Sequence, residues 1–323
     1  YNPKSRYIMF ISFILTIILL IFINSSNADE NGPDLSIQQA LNDNLSSNNN
    51  NNGEDWHYVC IVDAGSTGSR IHVYKYLKDD SNSNGLIKVD IKNEQYKKFY
   101  PGLSSFEDKP TDIDAMGEYF DPILNFGRDN VPLSKRTDTP LFVLASAGMR
   151  KVRERNTETA QQIIDMAYKY LSESEFIVLK KGIAIIEGAD EGLWGWIAAN
   201  YLNGELENLL HINTPKNIYS QQTTKGVLEM GGESLQITFI PQESSLNALR
   251  DHKHGDIVHH IETVNIGEVE FQLFTYSWMG IGMEAAQNRF DSYLATLTQE
   301  REASPCYIQG DTRERAHGIG QSI

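Results

Sequence analysis

The feature that most constrains this chain is a small design used twice: an apolar strand, one acid, a tip of small residues and a returning strand. The first copy runs through Tyr58-Val59-Cys60-Ile61-Val62 into Asp63-Ala64-Gly65-Ser66-Thr67-Gly68-Ser69-Arg70, after which Ile71, Val73 and Tyr74 resume an extended pattern. The second runs through Gly226-Val227-Leu228-Glu229-Met230 into Gly231-Gly232-Glu233-Ser234, with Leu235, Ile237 and Phe239 alternating beyond it. A tip without side-chain bulk lets backbone N–H groups and hydroxyls approach an anion. One such turn between strands is ordinary; two imply two similar half-structures. Facing each other across a cleft, they could grip successive phosphates of one polyphosphate. Their acids, Asp63 and Glu229, could then hold the water shell of a bridging divalent cation.

The segments between and around the tips predict a mixed sheet with helices on its faces, an α/β fold. A third strand is expected over 86–91 and a helix over 113–126. A short buried strand, Pro140-Leu141-Phe142-Val143-Leu144, delivers Ala145-Ser146-Ala147-Gly148-Met149-Arg150 at its C-terminal end. Ala160, Ile163, Ile164, Ala167 and Leu171 share one helical face. Residues 176–186 read as extended and 190–202 as the helix behind them. Further strands are expected over 257–266 and 269–276, and Met283, Ala286, Phe290, Tyr293 and Leu297 mark a last helix. With 43 acidic and 28 basic side chains the formal charge is −15, which argues against nucleic acid as a partner. An acidic protein that grips a polyphosphate must neutralise it locally, and a divalent metal is the natural means.

Residues 7–23 are an unbroken apolar run preceded by Lys4 and Arg6. It is near the lower length limit for a bilayer span and slightly long for a signal-peptide core. The retained anchor and cleavage after Ser26-Asn27-Ala28 both stay open; either delivers the remainder outside the cytosol. The expected division is 1–28 as anchor or signal, 29–55 as an Asn/Ser-rich stalk, 56–188 as a first phosphate-binding domain and 189–323 as a second. The stalk has too little apolar surface to order itself, and Asn44-Leu45-Ser46 in it is a glycosylation acceptor if lumenal. Cys60 reads as a small buried hydrophobe and Cys306 as a loop cysteine.

Four stretches, in order, resemble the nucleoside triphosphate diphosphohydrolases, the family of apyrases and Golgi nucleoside diphosphatases. They are Asp63 to Arg70, Leu144 to Arg150, Glu187 to Leu202 and Leu228 to Phe239. A fifth signature of that family lies beyond the last residue here, and Tyr1 is not Met, so the sequence is expected to be incomplete at both ends. The resemblance implies two ribonuclease-H-like domains of the actin, hexokinase and heat-shock chaperone superfamily, the second truncated. It implies release of orthophosphate from nucleoside tri- or diphosphates with Mg²⁺ or Ca²⁺. Glu191 matches the family's catalytic glutamate, and Ser234 and Gln236 complete a cage around the attacking water. Gly65, Ser66, Thr67, Gly68, Ser69, Ser146, Gly231 and Gly232 would bind phosphate, with Asp63 and Glu229 holding the metal through water. Ser146 stands where Thr is common, Glu229 where Asp is usual, and Glu233 where a small residue is usual. The resemblance also implies C-terminal disulfides, hence a partner for Cys306 beyond the chain's end, and an inactive fragment when this chain stands alone.

From the residues themselves, Glu191 opens a helix, where the N-terminus favours the carboxylate form and makes a modest base. A helix-capping acid fits the same spacing, and Asp190 reads as structural. Ser234 and Gln236 alternate with Leu235 and therefore share one side of their strand. Arg70 and Arg150 suit bracing of the turns better than clamping of phosphate. Trp194 and Trp196 read as core, and His252, His254, His259 and His260 show no metal-ligand spacing. Two other functions compete: a nucleotide-binding ectodomain without turnover, and a sugar kinase, whose Asp base beside a sugar loop is not found. The expected location is the secretory pathway, membrane-anchored with a lumenal Golgi or endosomal catalytic part, or extracellular, or secreted if the leader is cleaved. Oligomeric state is not legible.

Overall fold

The structure, a computed structural model, describes residues 56–77, 88–206, 224–242, 244, 260–266 and 269–296. The apolar run 7–23, the stalk, the Asn44 acceptor, Cys306, His252, His254, His259 and Leu297 lie outside them. Among the described residues no helix is long and apolar enough to cross a membrane.

The first hairpin is β1 (His57–Ala64) and β2 (Ser69–Leu77), antiparallel with Asp63 opposite Arg70 and Ala64 opposite Ser69. β3 (Lys88–Val89) and β4 (Gln95–Phe99) both pair with β2, while β5 (Leu141–Ala145) lies parallel to β1 and β6 (Ile183–Ile185) parallel to β5. The expected mixed sheet is therefore present. Alternation sends Cys60, Val62, Ile71 and Val73 to one face, where they pack on helices α1 (Ile113–Asn130) and α3 (Thr157–Leu171). All five residues of the expected helical face, Ala160, Ile163, Ile164, Ala167 and Leu171, are buried there. Asp112 and Asn156 cap the two helices, each accepting at 3.0 Å from a backbone N–H three residues on.

Between them lies a helix that periodicity did not announce, α2 (Ala147–Arg155), starting directly after Ser146. The extended reading of 176–186 is corrected. Pro140 and Ile177 form an isolated bridge, Lys180–Gly182 make a single 3-10 turn, and only Ile183–Ile185 join the sheet. The lysine pair and glycine in its middle break the strand.

α4 (Gly188–Leu202) is wedged between two sheets. Its Trp196 and Ile197 lie in one core with Val59, Ile61, Phe142 and Leu144 of the first sheet and Phe271 and Leu273 of the second, the Trp196 ring 5.6 Å from that of Phe271. The second is an antiparallel sheet of β7 (Val227–Met230), β8 (Ser234–Phe239), β10 (Val269–Met279) and β9 (Ile261–Ile266), paired in that order. A last helix, α5 (Met283–Thr296), follows β10. The second half thus repeats the tip-bearing hairpin, but among the described residues no parallel strand joins β7 as β5 joins β1.

The end of α1 is tied to the turn after α3 by a bidentate pair: Arg128 Nε and Nη2 each donate to Glu175 at 2.8 Å. These hydrogen bonds hold the Glu175 carboxyl at about 2 against an ordinary 4.5. A depressed carboxyl stabilises the fold above its unfolded value and loses that contribution as pH falls through the folded one. Glu175→Gln is expected to cost about 1 kcal/mol near neutrality, discounted for solvent screening. The gap between variant and parent in urea unfolding should close as pH falls from about 4.5 towards about 2.

Candidate active site

The two tips meet. A Cβ placed on Gly232 would stand 2.9 Å from Ser66 Oγ, and one on Gly148 would stand 2.8 Å from Ser66 Cα. Gly65, Ser66, Thr67 and Gly68 of the first tip and Gly232 and Glu233 of the second keep backbone N–H groups that no acceptor among the described residues takes up. In the second tip the carbonyls are committed elsewhere. Gly231 O accepts from Met283 N at 2.9 Å, Gly232 O from Glu284 N and Ala285 N at 2.9 and 3.0 Å, and Glu233 O from Gly280 N at 2.7 Å. The start of α5 thus holds the tip from behind by its carbonyls, leaving donors on the opposite side.

Ser146 precedes α2, and its side chain makes no capping hydrogen bond, so a hydroxyl remains available at a helix N-terminus. Ser69 behaves differently. It is fully buried and its hydroxyl bonds to Tyr119, so its side chain is taken up inside the fold.

Glu191 lies in the first turn of α4 and is only 8% exposed. Its carboxylate does not cap the helix. Oε2 accepts from Arg150 Nη2 at 2.8 Å and from Gln236 Nε2 at 3.0 Å. Gln236 Nε2 also lies 2.9 Å from Ser234 Oγ and 3.0 Å from Ser277 Oγ, and Arg150 Nη2 reaches Ser234 Oγ at 3.0 Å. Ser234 and Gln236 do share one buried side of β8, and the register sets Glu229, Gln236 and Ser277 in one row across β7, β8 and β10. Asp190, by contrast, turns back to the Glu187 backbone.

Both arginines brace, as expected. Arg70 pairs with Asp63 at 3.4 Å, and Arg150 donates to the Ile186 carbonyl at 3.0 Å as well as to Glu191. Trp196 is fully buried.

Three acids converge on this place. Burial raises the Glu191 carboxyl above its ordinary value, Arg150 opposing and Asp63 adding to the rise. Burial also raises Asp63, against Arg70 and His72. Glu229 is pushed well above the carboxylate range by burial and then by the charges of Glu191 and Asp63. The helix N-terminus was expected to leave Glu191 a modest base; desolvation outweighs it and makes the base stronger. Arg150 Nε, Glu229 Oε2 and Gln236 Oε1 are buried here without a hydrogen-bond partner among the described residues. Buried polar atoms of this kind call for a ligand or water. Among the described residues no group of three or more His, Cys, Asp or Glu stands close enough to hold a metal directly.

Ser277 was missed by sequence reading. The signal was there: Thr275 and Ser277 fall on the face of β10 that is otherwise apolar, with Val269, Phe271, Leu273 and Met279. That face packs against the glycines of α4, with Thr238 and Thr275 hydroxyls 2.9 Å apart and Thr275 Oγ1 donating to Ala189 O at 3.2 Å.

Two small-residue loops, closed on each other beside a caged carboxylate, define an α/β protein with a polar, acidic cleft between two sheets. The chain belongs to the GDA1/CD39 (nucleoside phosphatase) family, whose match covers residues 49–317. It is 31% identical over 265 residues to nucleoside-diphosphatase mig-23 of Caenorhabditis elegans, covering 79% of this chain and 45% of that protein. It is 34% identical over 251 residues to the Golgi apyrase of Saccharomyces cerevisiae, covering 73% and 37%. Ectonucleoside triphosphate diphosphohydrolase 5 of Bos taurus is 32% identical over 241 residues, covering 74% and 49%. The chain thus spans about half or less of the length of these relatives. Among solved structures, a nucleoside triphosphate hydrolase from Neospora caninum aligns at 17% identity with a TM-score of 0.49, covering 74% of this chain and 47% of that one.

The close seating of α4 on the second sheet is itself testable. A Cβ on Gly192 would meet Thr238 Oγ1 at 2.7 Å and Thr275 Oγ1 at 2.8 Å, two short β-branched side chains with nowhere to retreat. Gly192→Ala is expected to lower stability by about 2 kcal/mol through overpacking. An unchanged denaturant midpoint would contradict this packing.

Proposed function

We propose that the complete protein hydrolyses nucleoside di- or triphosphates to orthophosphate and the nucleotide shortened by one phosphate. The observation that carries the reading is the Glu191 carboxylate, held by Arg150 and Gln236 beside the Ser234 hydroxyl where the two tips meet. In it, the free N–H groups of Gly65, Ser66, Thr67, Gly68 and Gly232 and the Ser146 hydroxyl bind successive phosphates, while Gly231, whose N–H donates to Ser234 O at 3.0 Å, shapes the second tip. Ser234 and Gln236 orient a water whose oxygen attacks the terminal phosphorus, Glu191 takes its proton, and the bond to the bridging oxygen breaks. No covalent intermediate is needed. Phosphoryl transfer through a loose transition state depends on an in-line water more than on its prior deprotonation, which a fixed carboxylate supplies. A divalent cation, Mg²⁺ or Ca²⁺, would be held through water by Asp63 and Glu229 and would offset negative charge on the phosphates; the buried, mutually repelling acids fit such a group.

The names of the relatives, among them a Golgi apyrase, support a place in the secretory pathway. Residues 7–23 would serve as anchor or leader, and the division into 56–188 and 189–323 as two phosphate-binding domains follows from the two tips.

The test is phosphate release from ATP, UDP and GDP with Mg²⁺ or Ca²⁺, in the complete protein. Glu191→Gln is expected to lower turnover by at least about 100-fold while nucleotide binding persists. Turnover retained in that variant removes the mechanism, and binding without release in the parent favours a nucleotide-binding ectodomain. Glu229→Asp, which withdraws one methylene from the water shell, is expected to change the ratio of Mg²⁺- to Ca²⁺-supported rates about threefold or more. An unchanged ratio in metal titrations argues against Glu229 facing the cation.

A further inference from the structure

Two consecutive basic residues of α2 reach across to two consecutive residues of the second tip. Arg150 Nη2 lies 3.0 Å from Ser234 Oγ, and Lys151 Nζ lies 2.8 Å from Glu233 Oε2. The same helix carries Gly148, which abuts Ser66 of the first tip. α2 is thus the strut between the tips: its small residue touches one, its cations hold the other. Arg150 is buried and shared with Glu191 and Ile186, so its place in the cage is already accounted for. The Lys151–Glu233 contact has no part in the cage.

Glu233 is an odd residue for its position. A carboxylate directly after Gly232, beside a loop whose free N–H groups suit an anion, would repel the phosphates if left bare. Instead it is 14% exposed and turned onto Lys151. The neighbouring cation Arg155 is occupied by Glu107 through Nε and Nη2, so Lys151 is the α2 side chain that answers Glu233. On the other side of the tip, the Glu284 carboxylate approaches Gly232, adding a second negative charge that favours holding Glu233 away from it.

We propose that Lys151 and Glu233 are a positioning pair that fixes the gap between the two phosphate loops and thereby favours diphosphates over triphosphates. This rests on the phosphohydrolase reading above for the identity of the ligand. The argument is geometric. A short phosphate chain engages both loops only while they stay closed, whereas a longer one still spans them when the gap opens. Simple charge repulsion makes the opposite statement about Glu233, because removing a negative charge near phosphates would then tighten binding.

The experiment is a double-mutant cycle in the complete protein with UDP and UTP, reading affinity by calorimetry and kcat and KM by phosphate release. Lys151 is 41% exposed, and a pair of that kind contributes about 1 kcal/mol or less to folding, so the variants keep their fold. Lys151→Ala and Glu233→Ala are each expected to weaken UDP binding by up to about fivefold and UTP binding by less than about twofold, with the double variant no worse than either single one. The swap of Lys151→Glu with Glu233→Lys is expected to restore UDP binding to within about 1.5-fold of the parent. Tighter binding in Glu233→Ala, additive losses, or equal effects on UDP and UTP overturn the proposal. So does a swap that fails to rescue, which would place Lys151 on the substrate itself. Affinity is read without turnover, so these outcomes stand whether or not phosphate is released; loss of release in the parent counts against the hydrolase reading alone.

Discussion

The site depends on one buried guanidinium. Arg150 is 4% exposed, and its donors reach a backbone carbonyl behind β6, the Glu191 carboxylate and the Ser234 hydroxyl. Those three acceptors lie on the first sheet's edge, on α4 and on the second sheet. A planar fork with fixed donor directions can bridge three elements in one geometry, whereas an ammonium on a flexible stem would satisfy them one at a time. Removing the cation would leave Glu191 buried beside Asp63 and Glu229 with no compensation, a situation that costs several kcal/mol. The two halves of the cage are joined through this charge before any ligand arrives.

The second constraint is the thinness of α4 on the side that meets β8 and β10. Glycines at 188 and 192 let the strands come close enough for Gln236 and Ser277 to stand beside Glu191. Further along α4, Trp196 packs on Phe271 of the second sheet and Ile197 joins the core that both sheets share. One helix therefore meets two requirements: bulk where it anchors, absence of bulk where chemistry needs approach. Its all-round apolar or small character follows from being covered on both faces.

Much of this was legible in the chain. The two hairpins showed themselves by alternation interrupted by small residues, and α3 by five apolar residues at helical spacing, because each signal depends only on neighbours in sequence. α2 did not show itself, since its buried residues are Ala147, Gly148, Met149, Arg150 and Val152, and only Met149 and Val152 of these join the apolar core. β4 was missed because its first three residues, Gln95, Tyr96 and Lys97, are all exposed and leave no alternation to read. Residues 176–186 misled in the opposite way. Phe176 and Ile183 are apolar for the sake of the core, not of one continuous strand.

The second sheet breaks the usual rule of apolar residues inside, and the break follows from the site. On β8 the buried side chains are Ser234, Gln236 and Thr238, while Leu235, Ile237 and Phe239 are the half-exposed ones. A polar face is stable in the interior only if its groups find partners, and here the hydroxyls and the amide pair with one another, with Glu191 and with the backbone of α4. The atoms left over, Glu229 Oε2, Gln236 Oε1 and Arg150 Nε, are buried on the residues that ring the cage. These three atoms leave the network under-satisfied at the cleft, and each adds to the gain when water, a cation or phosphate oxygens enter. The polarity that makes the second sheet costly to bury is the same polarity on which the proposed phosphate site rests.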